Sequence, residues 1–141
     1  MLHDIGKLVV PDEILDKPGE LDGAEMAVIR QHSFETYQIL KQVQGFEEIC
    51  GWAAYHHEAL NGRGYPFHLG EEDLDLEARI VAASDVFQAM AQTRPYRSSL
   101  SPKKILRKMQ YRARTGRLDE GLVGLVEKHL DDCWQAATKV L

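Results

Sequence analysis

The sequence alternates stretches of helical periodicity with short breaks that are rich in glycine and proline. Pro11, Pro18 and Gly19 end the first helical stretch, and two glycines and a proline within residues 61–66 exclude a continuous helix there. A short apolar run at residues 7–11 has the composition of a strand, but no second run alternates with period two to pair with it. The pattern therefore predicts an all-α fold of about six or seven helices.

Capping residues place the ends of the predicted helices. Asp22 and the pair Ser101-Pro102 are typical of helix starts, Asp119 begins the last helical stretch, and Gly116 ends the one before it. Helical segments are predicted at residues 2–9, 12–15, 22–41, 46–57, 77–92, 101–114 and 119–140.

Length and composition exclude several classes of protein. A chain of 141 residues suits one domain, and 44% hydrophobic with 28% charged residues fits neither general disorder nor a membrane protein. No apolar run approaches the roughly 18 residues that span a bilayer, and the first residues lack the pattern of a signal peptide. Cys50 and Cys133 are too few for a disulfide scaffold, so a cytoplasmic protein without membrane contact is predicted.

The charge of the chain is unevenly distributed. The net charge of −5 argues against DNA or general nucleic-acid binding. Residues 94–117 nevertheless contain nine basic residues and no acidic one, on an otherwise acidic chain. This segment indicates either a local anion-binding site or a solvated helix face.

Histidine and carboxylate residues form a pattern typical of a metal site. Asp85 lies in an apolar helical run, where a buried carboxylate needs a partner, most readily a cation. Mixed imidazole and carboxylate ligands suit Fe, Mn, Zn, Co or Ni better than Mg or Ca. The candidate residues are His3, Asp4, His32, His56, His57 and Asp85. His68 and His129 are predicted to be plain surface residues.

Two metal ions bound a few ångströms apart by such residues are a common arrangement for the hydrolysis of phosphate esters. Lys7 lies one helical turn after His3 and Asp4, so its ammonium group could reach a phosphate or protonate a leaving oxygen. The alternative is an exposed lysine that stabilises the last carbonyls of its helix. The sequence alone leaves both interpretations of Lys7 open.

Two motifs resemble a known family. Residues 3–7, His-Asp-Ile-Gly-Lys, resemble the HD signature of the HD phosphohydrolase superfamily. Residues 56–66 match the HHExxxGxGYP signature of its HD-GYP subfamily at all seven fixed positions. The resemblance extends from His3 to about Leu130, and it implies a helical hydrolase with two or three divalent metal ions, Fe or Mn in the first place.

The resemblance also implies a substrate and residue roles. Such domains cleave cyclic di-GMP, or in some members the hybrid cyclic GMP-AMP, to the linear dinucleotide and often to GMP. Lys7 matches the active-site lysine of the family, and Arg94 and Arg97 fall where the family places residues that contact phosphate. By position, the metal ligands of the family correspond to His3, Asp4, His32, His56, His57 and Asp85.

The loop that follows the His56-His57 pair is expected to adjoin the metals. Residues 61–70 are called the GYP loop. Gly62 and Gly64 permit tight turns, and Tyr65 with Pro66 could stiffen the loop or present a surface to a GGDEF-type or other signalling protein. Glu58 could orient a ligating histidine or pair with an arginine. These two interpretations of Glu58 are not separable from the sequence.

The chain begins two residues before the HD pair, where family domains carry one or two further helices with a histidine ligand and sometimes a glutamate. Residues 1–141 are therefore expected to be an HD-GYP domain without its first helix or helices. Loss of a ligand would weaken a metal site. This motivates an alternative to the enzyme: a catalytically impaired module that binds the nucleotide or a partner protein. Another HD-superfamily nucleotide hydrolase is the third hypothesis.

Overall fold

The computed structural model describes residues 2–93 and 98–139, and within these ranges it contains helices and no strand. The predicted all-α class is confirmed. A 3₁₀ helix at Leu2–Val9 comes first, and a short 3₁₀ turn at Glu71–Asp73 precedes the fifth α-helix. The α-helices of the described residues are α1 (Asp12–Leu15), α2 (Gly23–Arg30), α3 (His32–Leu40), α4 (Glu47–Ala54), α5 (Leu76–Ala91), α6 (Pro102–Arg114), α7 (Glu120–Lys128) and α8 (Leu130–Thr138).

Side-chain caps form at two of the three predicted helix starts, Asp22 and Asp119, whereas Ser101 precedes α6 without a side-chain cap hydrogen bond. Asp22 accepts from the amide of Glu25 at 2.8 Å, and the Glu25 carboxylate accepts from the Asp22 amide, which completes a capping box on α2. Asp119 caps α7 by accepting from the amide of Leu122 at 3.0 Å. Pro102 occupies the first turn of α6, as expected.

Two of the predicted helices are each divided in the structure. The segment predicted over residues 22–41 is interrupted at Gln31, whose amide is shared between the carbonyls three and four residues earlier. Just beyond this point the His32 ring donates to the carbonyl of Ile29, and this hydrogen bond orients the His32 ring. The last segment is divided at His129, where φ −120° and ψ 34° leave the helical region.

The hydrophobic core consists of two clusters. The larger one lies between α5, α6, α7 and α8 around Ile105 and Met109, both with no exposed surface. The smaller one joins α3 to α4 through Leu40, Cys50 and Ala53. Both cysteines of the chain are free thiols, in agreement with the absence of a predicted disulfide scaffold.

The first 3₁₀ helix lies directly against α3, and Gly6 makes this approach possible. A Cβ atom at Gly6 would collide with the carbonyl oxygen of His32 and the amide of Thr36. The Gly6 amide donates to the Thr36 hydroxyl at 3.0 Å, and that hydroxyl donates to the His3 carbonyl at 3.2 Å. Backbone-to-backbone contact of this kind sets the HD pair beside the start of α3.

Among the helices of residues 2–93 and 98–139, none combines the length and the apolar character that crossing a bilayer requires.

Candidate metal centre

Four parts of the fold bring the six candidate ligands into one cluster. The first 3₁₀ helix carries His3 and Asp4, α3 begins with His32, and the residues just after α4 are His56 and His57. The sixth candidate, on the middle of α5, is Asp85.

The ligand atoms of these residues lie within van der Waals or hydrogen-bond reach of one another. The Nε2 atoms of His32 and His56 are 3.3 Å apart, and Asp4 Oδ1 lies 3.7 Å from His32 Nε2. His3 Nε2 is 3.6 Å from Asp4 Oδ2, on the other side of the same carboxylate.

Asp85 completes the cluster from α5. Its Oδ1 lies 3.7 Å from His3 Nε2, and its Oδ2 lies 4.0 Å from His57 Nδ1. His3 Nε2 thus lies within 4 Å of both carboxylates, those of Asp4 and Asp85. Ligand atoms of His32, His56 and His57 also fall within 4.8 Å of one another, which one metal ion could bind together.

Backbone carbonyls fix the tautomers of the two most buried histidines. His32 Nδ1 lies 2.6 Å from the carbonyl oxygen of Ile29, and His56 Nδ1 lies 2.6 Å from that of Ala53. A carbonyl oxygen can only accept, so both Nδ1 atoms carry the proton. In the neutral rings the Nε2 atoms are therefore unprotonated, with lone pairs directed at each other.

Burial keeps these rings neutral. Burial lowers the pKa of His32, and it lowers the pKa of His56 to about 4. Burial together with the neighbouring His56 and His32 lowers the pKa of His57 to about 2. At neutral pH the cluster offers unprotonated imidazole nitrogens beside two carboxylates, which is the donor set that a divalent transition metal requires. The residues present fit a metal centre.

Lys7 pairs with the HD aspartate. Its ammonium nitrogen lies 2.8 Å from Asp4 Oδ2, and both side chains are about a third exposed. Burial alone would raise the pKa of Asp4, but the hydrogen bond and charge of Lys7, with His3 and His32, lower it overall. Asp4 is therefore ionised at neutral pH. Lys7 lies at the edge of the cluster, where it contacts Asp4 as well as solvent.

The Tyr65 ring covers one side of the cluster. It packs against the His57 ring with centroids 4.9 Å apart, and the guanidinium carbon of Arg30 lies 5.5 Å from the centroid of the Tyr65 ring. Burial raises the pKa of Tyr65 to about 12, so the phenol keeps its proton at neutral pH. Tyr65 is thus placed as a hydrogen-bond donor beside the metal centre.

Glu58 holds the GYP loop, which corrects both interpretations offered above. Its carboxylate accepts from the amides of Phe67 and Leu69 at 2.6 and 3.0 Å, and the residue is 5% exposed. Among the described residues, the Glu58 oxygens accept hydrogen bonds from amides of the loop backbone, and not from a histidine ring or an arginine. Gly64 is required here, because a Cβ would collide with the backbone of Glu58 and Ala59.

A cavity of about 530 Å³ adjoins the cluster between the GYP loop, α5 and the end of α6. Its lining includes His57 and the carboxylates Glu58 and Asp85, together with four arginines: Arg30, Arg63, Arg112 and Arg117. The basic segment predicted from composition includes two of these arginines. The other two, on α2 and in the GYP loop, carry no signal in the sequence that marks them as part of a site.

Two histidines and two arginines singled out in the sequence are not among the cluster residues described so far. His68 and His129 are exposed, as expected for surface residues. Arg94 and Arg97, the predicted phosphate contacts, lie outside the described residues.

Comparison with known proteins decides the family. A model of the HD domain family matches residues 1–122, most of the chain. The chain belongs to the HD domain family. The resemblance found in the sequence is thereby confirmed. The letters HD in the family name correspond to the His3-Asp4 pair of the cluster.

Named relatives of this HD domain are phosphodiesterases of cyclic dinucleotides. The chain is 42% identical over 135 residues to 3'3'-cGAMP-specific phosphodiesterase 1 of Vibrio cholerae, covering 96% of the chain and 31% of the relative. It is 39% identical over 113 residues to a cyclic di-GMP phosphodiesterase of Pseudomonas aeruginosa, covering 77% and 27%. A cyclic di-GMP phosphodiesterase response regulator of Xanthomonas campestris is 44% identical over 100 residues, covering 70% and 26%. The chain thus spans between a quarter and a third of the length of these relatives.

Proposed function

We propose that this HD domain is a metal-dependent phosphodiesterase that hydrolyses a cyclic dinucleotide, cyclic di-GMP or 3'3'-cGAMP, to the linear dinucleotide or GMP. One observation carries the proposal: unprotonated imidazole nitrogens and two carboxylates converge from four parts of the fold. The names of the relatives support the substrate class.

The proposed centre holds two or three divalent transition-metal ions, Fe or Mn in the first place and Zn, Co or Ni as alternatives. The donor set supports these softer ions over Mg or Ca. When bound, such ions supply a nucleophilic water near neutral pH and stabilise negative charge on phosphate oxygens. The residues that would hold them are His3, Asp4, His32, His56, His57 and Asp85.

The side chains around the centre would bind and orient the phosphodiester. Lys7 fixes the Asp4 carboxylate through its 2.8 Å contact, and its partly exposed ammonium group is available to a phosphate oxygen. The protonated Tyr65 phenol, whose ring packs on His57, can donate a hydrogen bond to the substrate. Arg94 and Arg97 remain predicted phosphate contacts.

The alternative is a module that binds the nucleotide or a partner without turnover. Docking of a GGDEF-type or other signalling protein on the GYP loop stays a prediction, as does a cytoplasmic location. The packing of Tyr65 on His57 favours a role for this residue at the metal centre over a role in a protein interface.

The test is turnover of cyclic dinucleotides by protein loaded with Mn²⁺ or Fe²⁺ and with its metal content measured. We expect conversion of cyclic di-GMP or 3'3'-cGAMP to a linear product by the wild type, loss of activity in Asp4→Ala, and wild-type activity in the control His129→Ala. His129 is exposed and lies outside the cluster. Binding of the nucleotide without turnover, with metal bound, would support the binding module instead.

A further inference from the structure

The end of α6 is a rigid turn that carries two arginines. The Gly116 amide donates to the Ala113 carbonyl and the Arg117 amide donates to the Arg112 carbonyl, both at 2.8 Å. With Gly116 at φ +70°, this is the double hydrogen-bond pattern of a Schellman motif. The motif reverses the chain, so Arg112 in the last turn of α6 and Arg117 after it both line the cavity beside the metal centre.

Asn61 fastens the GYP loop to this turn. Its amide donates to the Gly116 carbonyl at 2.7 Å, and its side-chain nitrogen donates to the Thr115 carbonyl at 2.8 Å. Its side-chain oxygen accepts from the amide of Arg63 at 3.0 Å. One asparagine therefore holds Arg63 next to the end of α6, and Arg63 lines the same cavity.

The three arginines form no ion pair in the part of the chain that the structure describes, although the carboxylates of Glu58 and Asp85 line the same cavity. Ion pairs within 4.0 Å among residues 2–93 and 98–139 leave Arg63, Arg112 and Arg117 without a carboxylate partner. All three are exposed. Like charges held around one cavity repel each other, and a bound anion removes that repulsion.

We propose that Arg63, Arg112 and Arg117 form a second anion subsite, which binds the phosphate of the dinucleotide that is not being cleaved. The inference rests on the proposed function. A cyclic dinucleotide carries two phosphates, and the metal centre acts on one of them at a time. The three arginines line the same cavity as His57 and Asp85, so one ligand in this cavity can contact both sets of residues. Guanidinium groups bind phosphate through paired, charge-assisted hydrogen bonds. The subsite would select dinucleotides over esters with a single phosphate.

Calorimetry of cyclic di-GMP and 3'3'-cGAMP binding to the metal-free full chain tests the subsite without hydrolysis. Arg112→Gln and Arg117→Gln remove charge and keep most of the side-chain length. We expect each to weaken binding about tenfold, the value of one charge-assisted contact. Arg114→Gln is the matched control, because Arg114 is exposed on the same helix and does not line the cavity. It should bind like the wild type.

A second measurement separates this proposal from the proposed function. Hydrolysis of cyclic di-GMP and 3'3'-cGAMP by the metal-loaded wild type is measured in parallel with binding. Equal dinucleotide affinity in all four proteins, or no measurable binding by any of them, would overturn the subsite. A wild type that binds the dinucleotide in an arginine-dependent way and yet never cleaves it would keep the subsite and overturn the phosphodiesterase.

Discussion

At the scale of single residues, hydrogen bonds with the backbone prepare the metal centre. The carbonyls of Ile29 and Ala53 each hold one Nδ1 proton, and this leaves the His32 and His56 Nε2 atoms free for a metal. Such outer contacts commonly change metal affinity by 10- to 100-fold when they are lost. The backbone therefore orients the candidate ligands, in addition to the contacts among the six side chains themselves.

Gly6→Ala tests the close approach of the first 3₁₀ helix to α3. The new methyl group would collide with the backbone of His32 and Thr36, neither of which is a flexible side-chain end. We expect a loss of about 1–3 kcal/mol in the free energy of unfolding, measured by urea denaturation, and weaker metal binding because His3 and Asp4 move away from His32.

Gly124→Ala is the control for this prediction. Gly124 lies within α7 and has open space where the Cβ would be placed. It should leave stability unchanged or raise it by up to about 1 kcal/mol. A Gly6→Ala protein as stable as the wild type would contradict the tight packing of the first 3₁₀ helix.

At the scale of secondary-structure elements, Asp119 has two functions. It caps α7, and its Oδ2 accepts from Arg79 of α5 at 3.1 Å, while Arg79 also donates to the carbonyls of Leu74 and Glu71. The pKa of Asp119 is lowered by the hydrogen bond from the Leu122 amide and, against the effect of burial, by Arg79. The Asp119 carboxylate thus joins α7 to α5, and Arg79 joins α5 to the turn before it.

Asp119→Asn should make stability less dependent on pH. A carboxyl group whose pKa is lower in the folded state stabilises the fold above its unfolded pKa, near 3.8, and this contribution is lost as pH falls through the folded value. Asparagine still caps the helix but carries no charge for Arg79. The difference in unfolding free energy between wild type and variant should therefore shrink between pH 7 and pH 3. A difference that stays constant over this range would contradict the coupling of Asp119 to Arg79.

The elements that the sequence predicts best are those with local signals. The caps at Asp22 and Asp119, the proline at Pro102 and the stop at Gly116 all depend on a few neighbouring residues, and all are present in the structure. The sequence does not predict the break at Gln31. There the adjacent His32 ring donates to the Ile29 carbonyl and lies 3.3 Å from His56, a contact between residues distant in sequence.

At the scale of the whole molecule, the metal centre joins parts of the chain that are far apart in sequence. His3 and Asp85 are separated by most of the domain, and their side chains lie 3.7 Å apart. The histidine and aspartate candidates were visible as motifs. The arginine cavity was visible only in part, because the placement of Arg30 and Arg63 depends on how α2 and the GYP loop pack, which no local pattern encodes.

Because the proposed ligands come from four parts of the fold, metal should stabilise the whole domain. Binding to the folded state alone adds about 2.7 kcal/mol when free metal is 100 times its Kd, or about 8 °C in Tm for a domain of this size. Thermal melts with Mn²⁺ or with EDTA measure this. His129→Ala should show the full shift, and Asp85→Asn should show a much smaller one. Equal melting temperatures with metal and chelator would contradict a metal centre.

The bond between Asn61 and Gly62 has a consequence for the chemical lifetime of the protein. Asparagine followed by glycine is prone to deamidation, in which the glycine nitrogen attacks the side-chain amide and ammonia leaves. In the fold, the Gly62 amide donates to the Ala59 carbonyl and the Asn61 side chain is held at both ends. Folding therefore protects this bond. Water then opens the succinimide that forms, so a chain that deamidates while unfolded would gain an aspartate or an isoaspartate. Neither can donate to the Thr115 carbonyl, and each places a negative charge beside Arg63.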